Sequence, residues 1–222
     1  MRISFWMLKG LPYLFAALSL CVTSPVSADS YAKNGFYIGV AKTKVSIGGD
    51  FDGQSYLTDG TEVILIPRIN DGSGTVLQIG GREGDTAIEL NYLKSSHDAT
   101  FSGATTKADF SMLSLDSRIF FMTNHPVQPY VLLGMIFTAN LTVKDGSSDG
   151  VTVSDGRFRG VFGFNWGAGV SYYPIPSVSL NAGVVYRNMS FNQASGTGDW
   201  KSLQDNLSVK GRQLNFGLAY TF

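Results

Sequence analysis

The residues best placed to do chemistry are charged residues set among apolar ones. Glu89 lies in Ala87-Ile88-Glu89-Leu90-Asn91-Tyr92, and Asp116 and Arg118 lie in Leu115-Asp116-Ser117-Arg118-Ile119. Removed from water, such charges need each other. An arginine fork matches a carboxylate in bidentate fashion, and an orphaned buried charge is costly. Glu89 and Arg118 are therefore expected to pair, with Asp116 close enough on the same face to share the arginine. The chain holds only two histidines. His97 follows Ser95-Ser96 and precedes Asp98, the residue types of a hydrolase whose members act by geometry and not by order. No second histidine or carboxylate pair accompanies it, so a polar loop histidine is the simpler expectation. His125 precedes Pro126 in a short turn. Asp145, Asp149 and Asp155 punctuate a glycine-rich stretch, but their spacing does not fit a calcium loop. A solvated acidic loop is expected there. Neither a catalytic residue, a metal nor a cofactor is expected.

Strands must position these groups. From Leu214 the chain alternates strictly. Leu214, Phe216, Leu218, Tyr220 and Phe222 share one face, while Asn215, Gly217, Ala219 and Thr221 share the other. Such alternation marks a strand, and an apolar face backed by a small, polar one suits a wall between lipid and a filled lumen. The same rhythm predicts eight strands, roughly 35–44, 75–82, 86–94, 107–122, 129–144, 158–173, 177–187 and 207–222. Outward faces follow by period two: Phe36, Ile38 and Val40; Leu77 and Ile79; Ile88, Leu90 and Tyr92; and similar sets on each later strand. The opposite face carries Glu89, Asn91, Asp116, Arg118, Gly167, Gly169, Ser171, Asn181 and Gly183. Connections alternate between tight turns (83–85, 123–128, 174–176) and long stretches rich in Gly, Ser, Asp and Asn (45–74, 95–106, 145–157, 188–206). Short turns on one rim and four long loops on the other are the pattern of a transmembrane barrel. The apolar run Val63-Ile64-Leu65-Ile66 in the first loop is expected to pack within the molecule.

The beginning of the chain has a different character. Arg2 and Lys9 precede an apolar run from Leu11 to Val22, and Val26 and Ala28 stand where a signal peptidase reads small residues. Residues 1–28 are expected to be a secretory signal peptide, followed by a barrel domain over 29–222. The run is shorter than the roughly 20 residues a spanning helix needs. Removing the first 28 of 222 residues takes Cys21, the single cysteine, and two of 17 basic residues but none of 17 acidic ones. The remaining 194 residues carry a net charge of −2 and no disulfide. That balance gives no reason to expect a nucleic-acid partner.

The fold class expected is therefore all-β: an eight-stranded antiparallel up-and-down transmembrane barrel. The segments NGFYIGV, AIELNY, GAGVSYY and LAYTF resemble the first, third, sixth and eighth strands of the small outer-membrane barrel (porin-like) family, as in the transmembrane domain of outer membrane protein A. This resemblance implies a Gram-negative outer-membrane location after cleavage near Ala28. It implies Phe222, with Tyr220, as a signal to the barrel-assembly machinery. It also implies a luminal ion pair at Glu89 and Arg118. Two further charged positions of that family fall here on the neutral Ser171 and Asn181, which leaves the pair no partners to exchange with. The function expected is a structural or surface-interaction barrel, presenting four extracellular loops and contacting outer-membrane lipid and lipopolysaccharide, as a monomer. Its lumen is expected to be largely plugged by polar side chains. The alternative is a small passive pore for ions or solutes, for which the glycines at 167, 169 and 183 leave room. A lipid-modifying enzyme at the outer rim is a third reading.

Overall fold

A computed structural model describes residues 30–53, 55–58, 62–101, 104–148, 151–153, 156–196 and 207–222. The expected signal peptide lies outside these residues. Eight long strands build the wall: β1 (Gly35–Gly49), β2 (Gly72–Glu83), β3 (Thr86–Phe101), β4 (Ala104–Phe120), β5 (Val127–Val143), β6 (Phe162–Ile175), β7 (Val178–Phe191) and β8 (Leu207–Thr221). Each pairs antiparallel with its neighbours in sequence, β8 pairs with β1, and the sheet closes on itself. Closure leaves the eight long strands without a free edge, as a lipid-facing sheet requires. Among the described residues no helix is long and apolar enough to cross a membrane, a test that does not address strands.

The register obeys the period-two reading. Ile38, Leu77, Ile79, Leu90, Leu133, Trp166, Leu180, Phe216 and Leu218 are all exposed on the outer surface. Most of their in-between neighbours are buried inside. The tight connections stand where the sequence puts them. Gly84 sits at φ 59° between β2 and β3, in the left-handed region that a glycine enters without strain. The predicted second long loop, 95–106, is the exception. Here β3 runs on to Phe101 and β4 begins at Ala104, and those two residues pair across the hairpin. Three long connections therefore remain, not four. In the first, strand 55–58 pairs with strand 62–65 as a hairpin, and Ile66 beyond it is fully buried in the barrel. In the second, strand 146–148 pairs with 151–153. A short strand, Gly156–Gly160, lies against β5 and against residues 193–196 and leads into β6.

With up to 17 residues per strand, the wall is longer than the 9–11 residues that a tilted strand needs to cross a bilayer. The surplus lies toward the long-loop rim, and there the chemistry of the two faces exchanges. On β3, the outward series changes from Ile88, Leu90 and Tyr92 to Lys94, Ser96 and Asp98, while the inward series changes from Glu89 and Asn91 to Leu93, Ala99 and Phe101. On β1, Phe36, Ile38 and Val40 give way outside to Lys42 and Lys44, as Val45 and Ile47 turn inward. On β8, Lys210 and Arg212 precede Leu214 and Phe216 outside, with Leu207 and Val209 inside. One half of the barrel is thus apolar outside and polar within, as lipid demands. The other half is polar outside and apolar within, as water demands. Its core joins Phe51, Ile66, Phe110, Leu141, Phe158 and Phe191, with Phe51 edge-on to Phe158 and Phe191 at 5.2 and 5.8 Å between ring centres.

Candidate functional site

The polar interior is built on facing positions of β3 and β4. Glu89 lies opposite Asp116, and Arg118 opposite Ala87. All three charged side chains point inward and are buried. Arg118 Nη2 reaches Glu89 Oε1 at 2.8 Å. Glu89 accepts two further hydrogen bonds, from the Tyr37 hydroxyl at 2.8 Å and from Asn91 Nδ2 at 2.9 Å. A carboxylate so surrounded has its lone pairs used, which offsets part of the cost of taking it out of water.

Asp116 does not share Arg118 as the sequence suggested. Its oxygens instead accept from Asn91 at 2.8 Å, Asn165 at 3.0 Å and Ser114 at 3.1 Å. It stands opposite Gly134, where a Cβ would collide with its carboxylate. Ser171 and Asn181 face inward as expected and bond to each other at 2.6 Å. Sequence reasoning missed several members of this interior. Arg187 is buried beside Asp116, and Arg118 lies over the Tyr130 ring at 4.7 Å. Arg82 bonds the Tyr173 hydroxyl and Gln128 and stacks on Phe120 at 4.1 Å. Arg82 and Arg187 closed their strands in the sequence reading, so they looked like rim residues. Yet each keeps the inward phase of its strand.

The glycines that left room for a pore are occupied territory. Tyr130 lays its hydroxyl against Gly169 and Gly183, where a Cβ on either would strike it. Tyr37 likewise fills the space beside Gly80. Between these side chains lies a cavity of about 20 Å³ lined by Glu89, Asn91, Asp116, Arg118, Arg187 and Gln213 among others, room for about one water. Above this cavity the interior is mainly the apolar core, with Ser95 and His97 buried within it.

His97 is also not a loop residue. It lies on β3, faces inward and is buried with Ser95. Nδ1 is 2.9 Å from the Asn70 carbonyl oxygen, which can only accept, so Nδ1 carries the proton. Nε2 therefore accepts from the Ser95 hydroxyl at 2.9 Å. The pair has a serine and a base, but a backbone carbonyl stands where a hydrolase has its acid, and both side chains are sealed in the core. Burial holds His97 below the ordinary histidine range. Asp98 points outward to Lys107 at 2.5 Å. Asp145 is described, whereas Asp149 and Asp155 lie outside the described residues. Among the described residues no cluster of histidine, cysteine or carboxylates could hold a metal ion.

At the end of the wall, Phe222 stacks on Phe36 at 5.9 Å, meets Tyr220 edge-on at 5.1 Å and donates its backbone N–H to the Phe36 carbonyl. The three rings form an apolar group on the outer surface at the rim that carries the short turns.

A closed, antiparallel eight-stranded barrel with an apolar belt outside and charged groups inside is a membrane-spanning barrel of the outer-membrane type. The chain belongs to the outer membrane protein beta-barrel domain family, whose pattern it matches over residues 14–222. Among solved structures it is similar to OprG from Pseudomonas aeruginosa, at 15% identity over 87% of this chain and 99% of that one, TM-score 0.56. It is also similar to the Neisserial surface protein A, at 17% identity over 85% of this chain and 97% of that one, TM-score 0.54. At such identities the likeness shows the fold. No curated protein matches the sequence. In barrels of this family the short turns face the periplasm and the long loops the exterior.

Proposed function

We propose that this protein is a structural and surface-interaction barrel of the outer membrane, closed to solutes, whose task is to hold a rigid, water-adapted collar above the bilayer. The observation that carries this reading is the dry core of the outer half. Phe51, Phe110, Phe158, Phe191 and Leu141 are each no more than 2% exposed, and they stand over the Glu89–Arg118 layer. A passive pore needs a continuous wet path, and an eight-stranded barrel is just wide enough for side chains to fill. The three long connections, between β1 and β2, between β5 and β6 and between β7 and β8, are the parts through which it would meet other surfaces. Delivery is assigned to the barrel-assembly machinery, reading the terminal aromatic group of Phe222 and Tyr220. The protein works as a monomer, since closure of the sheet leaves the long strands no edge to pair with another copy.

The test is conductance in planar bilayers. The parent protein is expected to give no steady single-channel current, whereas deleting the core by Phe51→Ala and Phe158→Ala together should admit ions. A steady current from the parent would overturn the sealed-barrel reading in favour of the pore.

A further inference from the structure

The collar's outer surface is not uniform. Besides Arg68, Arg157 and Arg159, exposed on the short strands 68–69 and 156–160, the cations on or next to its long strands fall into two groups. On one side, Lys107 pairs with Asp98 and Lys144 with Asp109, at 2.5 and 3.1 Å. On the wall formed by β3, β2, β1 and β8 stand Lys94, Lys42, Lys44, Lys210 and Arg212. Of these five, only Lys44 has a salt bridge among the described residues, to Asp71 at 3.4 Å. Asp71 also feels Arg212 and accepts from Ser46, which together hold its carboxyl below the usual range. Asp109, on β4, feels Lys94, and the Asp50 carboxylate is engaged by the Ser208 backbone. Even with all three acids counted against it, the wall keeps an excess of positive charge.

The height of these cations is specific. The ladder row from Phe164 passes through Met135, Leu115, Leu90, Ile79, Ile38, Tyr220 and Val178 and returns to β6 at Ile175, 11 residues nearer the periplasmic end. Staying level with Phe164 therefore means climbing a little at every strand. A level line brings Lys94, Lys44 and Arg212 to the height at which Phe137 and Phe164 still face outward on β5 and β6. Lys42 directly follows the apolar series Phe36, Ile38, Val40, and Arg212 directly precedes Leu214 and Phe216. These cations thus mark the boundary between hydrocarbon and headgroups. Lys42 and Lys94 both pair in register with Thr75, one on either side, about 10 Å apart by strand spacing.

We infer that this wall is a binding site for the phosphate groups of lipid A, the diphosphorylated diglucosamine glycolipid of the outer leaflet. The Lys42/Lys94 pair and the Lys44/Arg212 pair would each face a phosphate, with the acyl chains lying along Val40, Leu77, Leu214 and Phe216. Charge at the boundary alone would fit any anionic lipid. The lateral spread across four strands fits a headgroup with two separated phosphates on a wide sugar base. The inference rests on the outward placement of the collar proposed above. That placement is checked separately: in intact cells a membrane-impermeant amine reagent should label Lys107 and Lys144, and failure to label them would overturn it.

The binding experiment uses the purified barrel in detergent, titrated with lipid A and followed by native mass spectrometry. Lys42→Gln, Lys94→Gln and Arg212→Gln combined should weaken binding at least tenfold. Lys107→Gln with Lys144→Gln should change it less than twofold. Dephosphorylated lipid A should bind the parent at least tenfold more weakly than lipid A, a comparison that needs no variant to fold. Equal binding of the two lipids would overturn the inference. So would equally tight binding of phosphatidylglycerol, or a triple variant that binds as the parent does.

Discussion

Glu89 and Arg118 illustrate how much a single buried residue can carry when its partner is fixed. Removing Arg118 alone leaves Glu89 with Tyr37 and Asn91 as donors but no positive charge. Breaking a buried pair typically costs about 3–5 kcal/mol, less where water reaches the site. Arg118→Ala is therefore expected to lower the urea midpoint sharply, and Glu89→Gln added to it should recover part of the loss. A double-mutant cycle on unfolding checks this, and additive effects would show the pair to be uncoupled. Gly134→Ala offers a second test. The new Cβ would meet the Asp116 carboxylate, and overpacking of this kind costs about 1–3 kcal/mol. Gly81→Ala on β2, where nothing lies within reach, should cost much less in the same assay. At this scale the sequence was legible where types were unusual: Glu89, Asp116 and Arg118 stand out among apolar neighbours. Tyr37 and Tyr130 did not, because a tyrosine in an alternating strand is an ordinary residue. Period two sets them inward, but the space their rings fill is shown only by the opposing glycines, 80 for one and 169 and 183 for the other.

At the level of strands, the turns and the membrane half were readable because one face is continuously apolar. The outer ends of β1, β3 and β7 were not, and β3 shows why. Its alternation persists through Lys94, Ser96 and Asp98, but the polar residues now face out and Leu93, Ala99 and Phe101 face in. Read as a continuation of a lipid-facing strand, that stretch looks like a loop rich in Ser, Asp and Thr. The same inversion hid His97, whose place is set by the strand and by the Asn70 carbonyl of the first loop. Its titration gives a prediction. A histidine whose folded pKa lies below its unfolded value binds more protons when unfolded. Its stabilising effect is thus complete above the ordinary histidine range and is lost as pH falls toward the depressed folded value. Asp71 and Asp109, also depressed, lose theirs at still lower pH, in the carboxylate range. Cleavage of the 50–71 segment by an added protease should therefore rise between pH 7.5 and pH 5. His97→Asn, which cannot charge, should flatten that rise. A rise of equal size in the variant would remove His97 as its cause.

For the whole molecule, the barrel was legible from the strand rhythm and the family from the resemblance of four strand segments, whereas the packed interior depended on contacts between strands far apart in sequence. Two expectations belong here. In detergent the protein should give a strand-dominated circular dichroism spectrum and migrate differently on gels before and after heating, since a closed ladder unfolds only as a unit. A helical spectrum would contradict the fold. Loss of Phe222 removes one ring from the Phe36–Tyr220–Phe222 group and the proposed assembly signal together. Surface levels should fall in cells, while refolding from urea into detergent should still succeed. Normal surface levels would remove the signal, and failed refolding would assign the residue to stability instead.

The exchange of polarity halfway up the wall also fixes how deep the protein sits. Moving the barrel inward by one residue pair would draw Lys42, Lys94 and Arg212 toward hydrocarbon. Moving it outward would bare Val40, Tyr92 and Leu214 to water. Lysine and arginine on the lipid face of a barrel cost about 2–4 kcal/mol each at the midplane, falling toward the interfaces, and several strands would move together. The protein therefore has little freedom to ride up or down in membranes of different thickness. In a thicker or thinner bilayer it is the surrounding lipid that must stretch or compress to meet it, so the barrel acts as a ruler of leaflet thickness around itself.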